Sequence, residues 1–291
     1  MYFAPLLAIV ASTALTVGLY FMKRQAARLP SLGGGWRLAA WWAFARDPLW
    51  VLGVALQVVG YGLYLVALRA APLSVVHTAL TAGVALFVLL AVVGLGERVR
   101  PLEWLGVGCV VLGLIVLGAS LGGDAPPNSV AYGTGTFASV VAVLTVLALA
   151  IDPAPGRPIG LSIATGLTLG LASVFAKALA GADSLAAALY SRHFVLTLGT
   201  NIVGFALMQG ALQAGRGVVV VPIFSTLSNV VPIIGGILLY GEWAQEHGAA
   251  AVLRTLAFVL AIGGAAVLAG CSEQQAASAA ATRQLEEAKS R

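Results

Sequence analysis

The stretch GVVVVPIFSTLSNVVPIIGG fills residues 217–236, and its reading decides the fold. Twenty helical residues at 1.5 Å each reach about 30 Å, the thickness of a bilayer's hydrocarbon. The flanks are aliphatic enough to lie there. The centre is not, because it holds two prolines and a Ser-Thr-x-Ser-Asn cluster. Each proline removes one backbone hydrogen bond and crowds the carbonyl four residues earlier. Pro222 therefore releases the Val218 carbonyl, and Pro232 releases that of Ser228. In hydrocarbon a released polar group must face protein or a wet cavity. At 100° per residue, Pro222, Ser225, Thr226 and Asn229 share one face. That face suits a cavity wall, and it also suits the polar glue between membrane helices.

The rest of the chain agrees with a membrane setting. It is 60% hydrophobic and 9% charged, with a mean hydropathy of +0.97. A soluble domain carries about a quarter charged residues. Nine apolar runs of spanning length are expected, at 2–22, 49–68, 73–95, 102–120, 130–151, 159–179, 194–212, 218–240 and 250–271. The first has no basic leader and carries Lys23, Arg24 and Arg28 on its far side, so it reads as a retained span. Residues 31–46, rich in Trp and Arg, read as an interfacial segment. With the N-terminus outside, only Arg69, Lys177, Arg192 and Arg254 of the sixteen Lys and Arg lie outside. That bias predicts a multi-pass protein of the cell (inner or plasma) membrane, N-terminus out and C-terminus in. Cys109 and Cys271 fall in apolar runs and read as packing thiols. The polar tail, 272–291, reads as cytoplasmic.

An internal repeat organises the spans. Shifted by 144 residues, QVVGYGLYLVALRAAPLSVVHTALT at 57–81 lies over NIVGFALMQGALQAGRGVVVVPIFS at 201–225. With one residue of slippage, Gly96-Glu97 falls on Gly241-Glu242. A shift of 154 lays Lys23 on Lys177. The expected fold is all-α: about nine transmembrane helices in two four-helix repeats, 1–120 and 158–271, joined by a central helix within 121–157. An odd helix between two even halves inverts the second half. Binding sites in inverted repeats lie near mid-membrane, between the halves.

Three polar stripes are the candidate solute-binding residues. The first is Ser225, Thr226 and Asn229. The second is His77 and Thr81 in the equivalent helix of the first repeat, where a membrane histidine is a functional candidate. The third is Gln57, Tyr61 and Tyr64, with Gln209 supplying an amide from the other half; tyrosines beside an amide suit a flat or cationic organic solute. Lys23, Glu97, Lys177 and Glu242 end helices and, with Pro222 and Pro232, are candidate gating or structural residues. Packing between helices, or snorkelling at their ends, accounts equally well for any one of them.

The acidic residues fall in loops, at helix ends or in the tail, which disfavours a carboxylate proton relay. There is no phosphate-binding Walker motif and no hydrolase or protease signature. The chain is therefore not expected to be an enzyme, to hold a metal or cofactor, or to bind nucleic acid. Its expected partners are a small-molecule solute or ion, the lipid bilayer and a second copy of itself.

The ordered set "AAPLS", a span closing on "GE", "WLGVGCVVLG", and then "VVVVPIFS" and "YGE" resembles the drug/metabolite transporter superfamily, with its EamA-like repeat. Nine helices rather than ten make the chain similar to the magnesium-transporter-like, NIPA-type branch. The resemblance implies a secondary carrier of a small metabolite or drug-like solute working by alternating access. It leaves a divalent-cation transporter for Mg²⁺ as an alternative, and a non-transporting membrane scaffold as another. The small-residue spacing Gly166-x-x-x-Gly170 would suit the scaffold as a packing face.

Overall fold

The computed structural model describes residues 3–26, 28–30, 38–70, 73–119, 134–151, 158–182, 184–240, 252–253 and 255–271. Among these the secondary structure is all helix, with no strand. In order it forms α1 (Phe3–Ala26), α2 (Leu38–Arg46), α3 (Pro48–Ala70), α4 (Leu73–Leu95), α5 (Pro101–Ala119), α6 (Thr134–Ile151) and α7 (Pro158–Ala180). It continues through α8 (Leu185–Leu189), α9 (Arg192–Ala214) and α10 (Gly217–Tyr240), and ends with α11 (Thr255–Cys271). Five of these, α1, α3, α7, α9 and α10, are long and apolar enough to cross a bilayer. Shorter apolar helices lie in α4, α5, α6 and α11. The nine expected spans correspond to these nine helices. The short α2 and α8 are connectors, because nine and five residues cannot cross a bilayer.

The molecule is inside-out by soluble standards. Val58, Val93, Val146, Val195, Leu238 and Val259 are exposed, whereas Glu103, Lys177, Gln209, Thr226 and Asn229 are buried. Aliphatic side chains outside and polar groups within define an all-α, multi-pass membrane protein.

Packing follows the repeat. α1 lies against α3 and α4, α7 lies against α9 and α10, and α4 meets α10 across the middle. Close contacts fix the directions. Gly18 faces Gly53 and Gly60 faces Ala11, so α1 and α3 run antiparallel. Gly204 faces Leu169 and Gly210 faces Leu161, which makes α7 and α9 antiparallel too. A small apolar cluster places Ala176, near the end of α7, with Ala8 and Ala11, near the start of α1. The second half is therefore inverted relative to the first.

Gly166 and Gly170 take part in this packing. A Cβ at Gly166 would come within 2.6 Å of the Phe224 carbonyl oxygen, and one at Gly170 within 2.6 Å of Val231 Cβ. The stripe seats α10 on α7, so it offers no outward face to a partner. This removes the feature that suggested a scaffold.

Pro222 and Pro232 sit inside α10, which continues through both over its 24 residues. Hydroxyls and amides serve the carbonyls around them. Thr226 Oγ1 donates to the Pro222 carbonyl at 2.8 Å, and Asn229 Nδ2 to the Ser225 carbonyl at 2.7 Å.

Candidate functional site

A cavity of about 820 Å³ lies between the halves. That is within the range of sites for drug-sized ligands. Its wall comes from α1, α3, α4, α7, α9 and α10, with Trp41 of α2 at one end. Gln57, Tyr61, Tyr64, Ser225 and Asn229 line it, as do Ser12, Thr16, Ser173, Thr197, Asn201 and Ser228. Most of the described wall is aliphatic or aromatic, and no described lining residue is charged.

The polar side chains are held in place by neighbouring carbonyls. Gln57 Nε2 donates to the Leu15 carbonyl at 3.2 Å, and Ser12 Oγ to the Leu80 carbonyl at 3.1 Å. Asn201 Nδ2 donates to the Tyr61 hydroxyl oxygen at 3.1 Å, joining α9 to α3 across the cavity. The Gln57 and Asn201 bonds use amide N–H groups and leave their amide oxygens as acceptors for a ligand.

Gln209 and Thr226 stand apart from this lining. Gln209 is fully buried beneath the cavity, where its Oε1 accepts from Trp50 Nε1 at 3.3 Å. Its amide nitrogen approaches Met22 Sδ at 3.3 Å. Trp41, Phe44, Trp50 and Phe205 stack around it, with ring centroids 5.4–6.4 Å apart. Together they form an aromatic floor. Thr226 is fully buried and returns its hydroxyl to α10's own backbone. His77 and Thr81 lie on α4, but their side chains are outside the described residues, and so is Glu242.

Below the floor the two halves are latched. α4 is followed by Gly96, whose φ of +67° is a left-handed conformation that only glycine adopts readily. The turn sends Glu97 across to the other half. Its carboxylate accepts from the Gly217 and Val218 amides at 2.8 and 2.9 Å, capping α10. A carboxylate on a helix N-terminus satisfies unpaired amides and faces the positive end of the dipole. Lys23 does the converse at the end of α9. Its ammonium donates to the Leu212 carbonyl at 2.8 Å and also to that of Gly215. Between these, Arg216 pairs with the fully buried Glu103 at 2.6 Å and reaches the Arg98 carbonyl. Glu103 also accepts from the Arg100 amide at 2.8 Å, which ties the start of α5 into the latch.

Lys177 makes a matching bond at the far end. It is buried and donates to the Leu68 carbonyl at 3.4 Å. Leu68 plus the repeat shift of 144 is Leu212, the residue that receives Lys23. One lysine-to-carbonyl bond thus appears twice, once at each end of the cavity and each time across the halves.

Ser12, Thr16, Ser173, Thr197, Asn201 and Ser228 are lining residues beyond the expected set. Ser12 and Thr16 carried a signal, since hydroxyls at i and i+4 share a helix face. Asn201 carried another, as the repeat mate of Gln57.

An all-helical, multi-pass membrane protein with a cavity between inverted halves is the class this structure defines. Among known proteins, the chain is similar to the probable magnesium transporter NIPA9 of Arabidopsis thaliana. The two are 26% identical over 282 residues, which covers 90% of this chain and 80% of the relative. No protein-family model matches the chain. No solved structure matches it either.

Proposed function

We propose that the protein is a secondary transporter that carries a small organic solute through the central cavity by alternately opening its two ends. The observation that carries this reading is a cavity walled by both inverted halves and latched at one end by contacts between them. In inverted-repeat carriers the site lies between the repeats, and access alternates as one rocks against the other. Glu97, Lys23 and Arg216 act as the latch of one gate, and Lys177 acts in the other. Gln57, Tyr61, Tyr64, Asn201, Ser225 and Asn229 bind the solute. With the N-terminus outside a cell membrane, the end held by Lys23 and Glu97 faces the cytoplasm and the Lys177 end faces out.

The test begins with a thermal-shift screen of the purified protein against amino acids, nucleosides, organic cations and Mg²⁺. A ligand at 100-fold its dissociation constant stabilises the fold by about 2.7 kcal/mol. Uptake of the hit into proteoliposomes should fall at least tenfold when Tyr61, Ser225 and Asn229 are all replaced by Ala. Uptake that survives the triple change overturns the assignment of the cavity.

A second reading, Mg²⁺ transport, is favoured by the relative's name. Mg²⁺ dehydrates reluctantly and is usually held by carboxylates with several waters retained. The described wall offers hydroxyls and amides, so the ion would pass hydrated. A thermal shift with Mg²⁺ alone, and Mg²⁺-dependent growth rescue lost in Glu97→Gln, would establish this reading over the first.

A further inference from the structure

The cavity also opens sideways. α4 and α10 close one flank by packing together, but α3 and α9 do not pack along their length. They run past each other with Trp50 beside Gln209 and Phe205, and Tyr61 beside Asn201. Around the Tyr61–Asn201 bond, Val58 of α3 and Leu198 and Ile202 of α9 line the cavity. The same three are 67%, 49% and 51% exposed on the lipid-facing surface. A residue that lines a cavity and also faces lipid marks an opening between them. Between the Trp50 and Tyr61 contacts this slit is about 16 Å long at the helical rise.

Just inside lies a polar group without a partner. Thr197 is 5% exposed and lines the cavity. Its Oγ1 is buried and unpartnered among the described residues. Leaving a buried hydroxyl unmet is costly, so such a group points to a ligand that meets it. Thr197 lies one turn before Asn201 on α9, the residue bonded to Tyr61.

We propose that the slit between α3 and α9 is a lateral portal. It admits a single-bodied amphiphile dissolved in the bilayer, and the amphiphile's uncharged head hydrogen-bonds Thr197 Oγ1 while its apolar body lies among Val58, Leu198 and Ile202. The wall chemistry fits, because apolar lining accepts the body and the described lining residues offer no charge to hold an ion. That this amphiphile is the transported solute rests on the transporter reading. The access route does not.

The test uses full-length protein in nanodiscs with Cys109 and Cys271 changed to Ala and one reporter, Ser225→Cys, in the cavity. Labelling is timed with N-(1-pyrenyl)maleimide, which dissolves in the bilayer, and with a trimethylammonium methanethiosulfonate, which stays in water. Val58→Trp and, separately, Ile202→Trp narrow the slit from positions that tolerate bulk on the lipid side. Each is expected to slow the pyrene reagent at least tenfold and the aqueous reagent less than twofold. Equal slowing of both reagents, or slowing of the pyrene reagent only by Leu179→Trp at the aqueous end, overturns the portal. The head group is tested with n-decanol, which should protect the reporter. Thr197→Val is expected to raise the half-protecting concentration about fivefold or more, the lower end of an unmet hydroxyl's cost. An unchanged concentration overturns the role of Thr197. Labelling needs no turnover and uptake is measured on protein with Ser225 intact, so portal-dependent labelling without uptake would overturn the transporter reading alone. Uptake of polar solutes with portal-independent labelling would overturn this inference alone.

Discussion

At the scale of single residues, the latch shows how a two-letter motif works. Gly96 supplies the turn and Glu97 supplies the charge, and the charge is used on the other half of the molecule. Sequence alone places this glutamate at a helix end, where snorkelling explains it equally well. Which amides it meets depends on α10 arriving from 120 residues away, and no local pattern encodes that. Glu97→Gln keeps the size and removes the charge. A lost helix cap costs about 0.5–2 kcal/mol, which is about 2- to 30-fold in a two-state equilibrium. A cysteine placed at Met208, on the cavity wall near the floor, should therefore label faster from the latched end by a factor in that range. Labelling at the wild-type rate would show that Glu97 does not hold that end shut.

At the scale of elements, most of the fold was legible and the reasons are local. Runs of about 20 apolar residues can only be helices in lipid, so the five spanning-length helices and the four shorter apolar ones all fall on runs that hydropathy marked. The short α2 and α8 were less legible, because their helicity depends on capping and packing. α8 begins on Ser184, whose hydroxyl accepts from the Ala187 amide at 3.1 Å. The polar faces were half legible. Periodicity put Ser225, Thr226 and Asn229 together, but only Ser225 and Asn229 reach the cavity wall. Thr226 turned to its own backbone, a choice every membrane hydroxyl has and periodicity does not decide. Gln57 and Gln209 looked alike in sequence, and the nearby Trp50 turned one into a floor support. The glycines give this scale its test. Gly166→Leu drives a side chain into the backbone of α10 and should lower the unfolding temperature by several degrees. Gly263 has open space around its Cβ position. Gly263→Ala should leave stability unchanged or raise it by up to about 1 kcal/mol, as for Gly to Ala in a helix. Equal losses from both would mean that close approach between α7 and α10 does not limit stability.

At the scale of the whole molecule, the inverted repeat places the same lysine bond at each end of the cavity. Inversion was readable from parity and a 144-residue shift. The reciprocity of the two bonds needed coordinates, because neither carbonyl has a signature in sequence. If the two ends alternate, the two lysines should act in opposite senses. Lys23→Met should raise reagent access from the latched end, and Lys177→Met should raise it from the other. Parallel effects in paired accessibility assays would mean that both lysines serve only stability. The floor has a further consequence. Trp41 faces the cavity and Trp50 gives its ring N–H to Gln209, within one stack of rings. Indole emission responds to water, so the protein carries its own optical gauge of the closed floor. When the latched end parts and solvent reaches these rings, the emission should shift to the red, with no dye attached.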